Sequence, residues 1–244
     1  MRLYIIRHGQ TEWNSSYRLQ GRTDVPLNEN GRDLARKTGE GLTRAGVCFD
    51  RIYTSPLSRA RETAELAAGS NIAKCKAQGT VKTETEPETA FACDSQDFAD
   101  GHLHKSVPII TEPRIQEISF GIMEGERVRD ENGVLNVDNF INFFNDPERY
   151  VPPAGGESFQ ELIARTGDFL EELRTEALKL AYEKEQNILI STHGAASRAL
   201  LANITHCALR DYWSGGVPKN CAVTIADFAD GVWKIAEQDR IFYE

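Results

Sequence analysis

Leu3-Tyr4-Ile5-Ile6-Arg7-His8-Gly9, near the start of the chain, and Ile188-Leu189-Ile190-Ser191-Thr192-His193-Gly194, near its end, have the same form. Each is a short apolar run that passes through one or two polar residues into His-Gly. Runs of this kind read as strands buried on both faces, as in parallel sheets. In open α/β sheets, ligands lie beyond the carboxyl ends of the strands, where the strand order reverses. If these two strands are neighbours, two imidazoles converge at one such edge. A plain turn accounts for either His-Gly alone, but poorly for both together. Glycine after each histidine permits a close backbone approach or an unusual dihedral angle.

Outward from these runs, the chain alternates strands and helices. Arg51-Ile52-Tyr53-Thr54 reads as a second strand, preceded by a helix whose face is marked by Leu34, Leu42 and Ala45 and which ends near Gly46. Ser55-Pro56 reads as the opening of the next helix, with Ser as cap and Pro in the first turn. Leu57, Ala60, Ala64, Ala67 and Ala68 line its inner face. A short helix is expected around Val137–Asn145. The longest starts at Ser158, where Ser158 and Glu161 make a capping box, and Phe159, Leu162, Ile163, Thr166, Phe169, Leu170, Leu173 and Leu180 follow the helical period. A helix from Ala195 to about Ile204 comes after the Asn187–Thr192 strand. Ala222–Asp227 and Val232–Glu237 read as an antiparallel hairpin. Residues 70–110, with the acidic stretch Lys82-Thr83-Glu84-Thr85-Glu86-Pro87-Glu88-Thr89, carry no sustained period and read as an insertion. The expected fold is α/β, with a mostly parallel central sheet, helices on both faces and an antiparallel edge, in a single domain spanning 1–244.

Composition agrees with this reading. The 244 residues include 28 basic and 37 acidic side chains, for a net charge of −9, with 40% hydrophobic and 27% charged residues. These values fit a globular chain and exclude global disorder. The acidic balance argues against a nucleic-acid partner, and no apolar run approaches the roughly 20 residues of a membrane span. Met1–Arg7 is too short and too basic for a signal peptide, so a cytoplasmic location is expected. Cys48, Cys75, Cys93, Cys207 and Cys221 are odd in number and widely spaced, which reads as reduced thiols.

The first strand end carries more than His-Gly. Arg7-His8-Gly9-Gln10-Thr11-Glu12-Trp13-Asn14 surrounds an imidazole with a cation and neutral donors, a set suited to a small tetrahedral anion. Arg59 lies at the start of the helix after the second strand. In water that position opposes the helix dipole, whereas a bound anion rewards both the arginine and the helix end. Phosphoryl transfer through a loose transition state needs positioning and positive potential above all, which Arg7, Arg59, Asn14, His193 and the amide of Gly194 can supply. His8 can attack phosphorus as the neutral imidazole, with its other ring nitrogen held as N–H by a carbonyl. Glu117, in Arg114-Ile115-Gln116-Glu117-Ile118-Ser119-Phe120-Gly121, has apolar neighbours that disfavour its charged form, as a proton donor requires.

Taken together, Arg7-His8-Gly9-x-Thr11-x-x-Asn14, Ser55-Pro56-Leu57-x-Arg59-Ala60-x-x-Thr63-Ala64, Glu117 with Phe120-Gly121-x-x-Glu124-Gly125, Gly155-Gly156-Glu157-Ser158 and Thr192-His193-Gly194 resemble the histidine phosphatase superfamily, in its phosphoglycerate mutase-like branch. The resemblance covers about residues 1–68 and 112–240. It implies His8 as the phosphorylated nucleophile and Glu117 as the proton donor. It implies Arg7, Asn14, Arg59 and His193, with Gln20 of Leu19-Gln20-Gly21, as the phosphate pocket, and no required metal or other cofactor. The implied partner is a small phosphorylated metabolite.

The sequence departs from the mutases after the acid. Their Arg-His-Tyr-Gly is replaced by Ile118-Ser119-Phe120-Gly121, which resembles the phosphatase members and removes cations that would retain a doubly phosphorylated species. A phosphatase is therefore expected ahead of a phosphoglycerate mutase. A catalytically inactive binding module is a further alternative, against which stands the presence of nucleophile, acid and both arginines. No G-x-S-x-G elbow supports acyl transfer. Cys75, Cys93, His102 and His104 could ligate zinc, but their spacing lacks the paired knuckle of structural sites. The residues that read the alcohol are expected in the insertion and in Val128–Pro153.

Overall fold

The computed structural model describes residues 1–77, 107–128, 134, 138–179 and 186–244, with side chains of the helix after the second strand described only to Gly69. The strands are β1 (Arg2–Arg7), β2 (Arg51–Thr54), β3 (Ile109–Thr111), β4 (Asn187–Thr192), β5 (Val223–Ala229) and β6 (Val232–Arg240). The α-helices are α1 (Glu12–Ser15), α2 (Glu29–Arg44), α3 (Ser58–Ala77), α4 (Asp138–Asn145), α5 (Phe159–Lys179) and α6 (Gly194–Thr205). The strands form one sheet in the order β3-β2-β4-β1-β5-β6. β3, β2, β4 and β1 pair in parallel, and the β5–β6 hairpin is the antiparallel edge. This is the expected α/β architecture.

β1 shows why the apolar runs are continuous. Tyr4 and Ile6 pack with Ala35 and Leu42 of α2 and Ala64 and Ala67 of α3. Leu3 and Ile5 pack on the other face with Phe169, Leu170 and Leu173 of α5 and Leu200 of α6. A strand covered on both faces has no solvent side to mark with polar residues. A third cluster, rich in aromatic side chains, joins Phe120, Phe140, Phe143, Tyr150, Phe159 and Tyr212 to the alanines of α6. Ser158 caps α5 as expected: its N–H donates to Glu161 Oε2 at 2.8 Å, and Glu161 N–H donates to Ser158 Oγ at 3.3 Å.

Three expectations change. The segment read as an insertion is shorter at both ends, because α3 continues to Ala77 and Ile109–Thr111 pairs with β2. Its middle lies outside the described residues, with Cys93, His102, His104 and the side chain of Cys75. The helix after β2 begins at Ser58 rather than Ser55-Pro56. Asp24, from a distant loop, accepts from Ser58 N–H at 2.8 Å and Ser58 Oγ–H at 2.7 Å, so the helix end is fixed without Ser55 as its cap. Cys48 is disulfide-bonded, while Cys207 and Cys221 are free; wide spacing in sequence does not set distance in the fold. No helix among the described residues is long and apolar enough to cross a membrane.

Candidate active site

The register of β1 against β4 sets Arg7 beside Thr192, so the chain leaves both strands at one level of the sheet. His8 N–H donates to Thr192 O at 2.9 Å, and the rings of His8 and His193 lie with centroids 5.1 Å apart. His8 is buried, with Nδ1 2.7 Å from Gly9 O. A carbonyl can only accept, so Nδ1 carries the proton in this network and Nε2 keeps its lone pair. Burial, then the charges of Arg59 and Arg7, hold the imidazole well below its usual range. Neutral pH therefore leaves it unprotonated. Gly9 is required by a close approach: a Cβ there would lie 2.5 Å from Gly31 O of α2. Its N–H donates to Thr63 Oγ1 at 2.9 Å.

Arg59 is fully buried, not turned toward water. Its NH1 and NH2 donate to Thr23 O at 2.8 Å and Gly21 O at 2.7 Å, and its Nε has no protein partner. Burial lowers the guanidinium to about 10. Arg7 NH1 donates to Pro218 O, its Nε is likewise unpartnered, and burial lowers it too. Both guanidiniums thus rest on backbone carbonyls, which fix them without neutralising them. Buried donors left unpaired are costly in proteins, and two of them on cations mark a place for an anion.

Glu117 stands at the first turn of α6. Its Oε1 accepts from Ile118 N–H and Ala196 N–H, each at 3.0 Å, and its Oε2 from Ala195 N–H at 3.2 Å. Its surroundings are therefore backbone N–H groups as well as the apolar neighbours read from sequence. A Cβ on Gly194 would lie 3.7 Å from Glu117 Oε2 and 3.8 Å from Arg7 Nε, so glycine keeps open the space between acid and cation. Arg165 braces the acid from behind: it pairs with Glu157 through two bonds of 2.7 and 2.8 Å and donates to Glu117 O at 3.1 Å. Glu124 ties the adjoining loop down, accepting from Arg22 N–H and Thr23 N–H at 2.9 and 2.8 Å.

Arg7, His8, Asn14, Gln20, Arg59, Glu117 and Gly194 all line one cavity of about 120 Å³. Asn14 Oδ1 is occupied by Thr11 N–H at 3.2 Å, which leaves its NH2 for the cavity, and Gln20 Oε1 accepts from Thr11 Oγ1 at 3.0 Å. His193 does not line it. It lies fully buried beside His8, with Nε2 2.7 Å from Ser55 Oγ and Nδ1 without a partner. Ser55 Oγ also accepts from Leu57 N–H at 3.3 Å. Burial and the nearby arginine charge keep this ring neutral also. Sequence reasoning missed Ser55 in this role, and missed Trp213, which lines the cavity with Phe143 and Phe144. Those two phenylalanines fall inside Val128–Pro153, the stretch expected to meet the alcohol, but were not singled out there, because aromatic residues on a helix read as core. Among the described residues, no three His, Cys, Asp or Glu side chains are grouped to hold a metal.

The family model described as the histidine phosphatase superfamily (branch 1) matches residues 3–78 and 96–239. The metal-independent phosphoserine phosphatase of Arabidopsis thaliana is 27% identical, over 96% of this chain and 79% of its own length. The 2,3-bisphosphoglycerate-dependent phosphoglycerate mutase of Protochlamydia amoebophila is 28% identical, over 84% of this chain and 85% of its own. The solved structure of YhfR from Bacillus stearothermophilus superposes with a TM-score of 0.71 at 29% identity, covering 100% of this chain and 99% of that one.

Proposed function

The chain belongs to the histidine phosphatase superfamily, and we propose that it hydrolyses phosphomonoesters of small metabolites through a phosphohistidine on His8. One observation carries the reading: a neutral imidazole, its Nδ1–H on Gly9 O, stands among two arginines whose buried Nε groups lack partners. In the first step His8 Nε2 bonds to phosphorus as the P–O ester bond breaks. Arg7 and Arg59 stabilise the oxygens of the transferring group. Glu117 gives a proton to the departing alcohol from Oε2, which holds one N–H bond against two on Oε1. Water then attacks the phosphohistidine, Glu117 takes its proton, and phosphate leaves with His8 restored. Asn14, Gln20 and Gly194 complete the phosphate pocket in this proposal, with His193 outside the cavity and packed against the His8 ring. A single cytoplasmic domain without a metal belongs to the same reading.

Hydrolysis is favoured over mutase chemistry by the three residues after the acid. Ile118 is buried in the core, Ser119 Oγ donates to Gly155 O at 3.0 Å, and Phe120 packs on Phe140 and Phe143. None of them brings a cation to hold a second phosphate. Rapid-quench experiments with a labelled phosphomonoester test the proposal. Acid-labile, alkali-stable phosphate is expected on the wild type and none on His8→Ala. Near-normal turnover by His8→Ala refutes the mechanism, and efficient conversion of 3- to 2-phosphoglycerate without net phosphate release refutes the choice of hydrolysis.

A further inference from the structure

The cavity has two unlike halves. Toward the strand ends it is charged and polar. Another wall is formed by Phe143 and Phe144 of α4 and by Trp213. The rings are locked against one another: Phe143 and Trp213 have centroids 5.3 Å apart, Phe144 and Trp213 5.5 Å, and Phe143 and Phe144 4.9 Å. Trp213 Nε1 donates to Phe143 O at 2.5 Å, so its one polar group is committed to the backbone. Among the described residues, the further cation that lines the cavity besides Arg7 and Arg59 is Arg18, which is exposed and donates from NH1 to Gly125 O at 2.7 Å. Solvent screens its attraction for a substrate carboxylate. A carboxylate on the alcohol would be desolvated against these rings without a fixed partner, which is unfavourable. A flat apolar group would instead bury area there and stack on aromatic edges.

We propose that the wall formed by Phe143, Phe144 and Trp213 makes this a site for phosphomonoesters of alcohols bearing an aromatic ring close to the ester oxygen, in preference to esters of carboxylate-bearing alcohols. The proposal rests on the hydrolase reading above and adds the class of leaving group. Phe144 and Trp213 act as specificity residues, touching the alcohol and not the phosphorus.

Four substrates test it: 2-phenylethyl phosphate, ethyl phosphate, phosphoserine and 3-phosphoglycerate, compared by kcat/KM. The first two release alcohols of similar basicity, so their ratio reports the ring and not the chemistry. A preference of about tenfold or more for the phenylethyl ester is expected from burying one ring face. In Trp213→Ala and Phe144→Ala that ratio should fall toward one. Equal values for the two esters, or a higher value for phosphoserine or 3-phosphoglycerate, overturn the inference while hydrolysis stands. If none of the four is hydrolysed, the functional reading itself fails. Calorimetry then decides the wall separately: 2-phenylethylphosphonate should bind about tenfold or more tighter than ethylphosphonate, and equal affinities overturn it. The wild-type comparisons stand even if a variant does not fold.

Discussion

Arg59→Met removes one cation from the phosphate site while keeping an unbranched side chain of comparable length. In the ligand-free protein this cation is held at a cost. Burial brings its guanidinium from the ordinary arginine range down to about 10, and more than two decades of displacement correspond to about 3 kcal/mol against the charged form. Against that stand two hydrogen bonds, to Gly21 O and Thr23 O, each worth about 1.5–3 kcal/mol when the donor is charged. The two contributions nearly offset, so Arg59→Met should lose between about 0 and 3 kcal/mol of stability. That is a modest change for deleting a fully buried charge.

Function should respond differently. The transferring phosphoryl group spreads charge over its equatorial oxygens, and a single arginine placed there contributes about 10³–10⁵ in rate in related chemistry. The assay pairs kcat/KM on p-nitrophenyl phosphate with thermal unfolding in the presence and absence of vanadate, which mimics the transferring group. Wild type should gain Tm with vanadate in proportion to ligand occupancy. Arg59→Met should gain little and lose at least about 10³-fold in kcat/KM. A variant within tenfold of wild type, or one stabilised by vanadate to the same extent, would show that Arg59 is a structural cation and that the anion lies elsewhere.

Glu117→Gln should lower formation of the phosphoenzyme about 10²-fold or more for an alkyl phosphate, whose alkoxide needs a proton, and much less for p-nitrophenyl phosphate; equal losses on the two substrates would move the acid to another residue. His8 and His193 are both held neutral by burial, so the unfolded chain takes up their protons first as the pH falls. Stability should therefore drop below about pH 6.5, by about 1.4 kcal/mol per pH unit for each histidine until the native pKa is reached. Denaturant titrations from pH 7.5 to pH 5 measure this, and His8→Gln should remove about half of the slope; an unchanged slope in that variant contradicts the assignment. Dialysis against EDTA should leave turnover nearly unchanged, because Arg7 and Arg59 supply the positive charge; a large loss restored by one divalent metal would require another reading of the site.

The strands were legible because both faces of β1 and β4 are covered, which leaves Leu3–Ile6 and Ile188–Ile190 as unbroken apolar runs. The phosphate half of the site was legible for the same reason: Arg7, His8 and Gly194 lie within two residues of those runs or their strand ends, so finding the strand ends finds them. Ser55 and Asp24 were not. A serine before Pro56 satisfies the local rule for a helix cap, and only the fold reveals that its hydroxyl goes to His193 while a carboxylate 34 residues upstream holds Ser58. The N–H groups on Glu117 come likewise from Ala195 and Ala196, 78 and 79 residues away. For the wall proposed to face the alcohol, the sequence pointed to a stretch, Val128–Pro153, and ambiguity rather than distance hid which residues of it matter. Phe140 and Phe143 lie three apart on α4 and both are buried in an aromatic cluster. The helical period that predicts this burial cannot tell which ring also borders the cavity. The two halves of the site therefore differ in how they are encoded. In the proposed reading, phosphate is held by Arg7, His8 and Gly194 at the strand ends and by Asn14 and Arg59 on the helices beside them. The alcohol is then met by side chains on α4 and around Trp213, outside the sheet, so reaction type and leaving-group preference can vary independently on this scaffold.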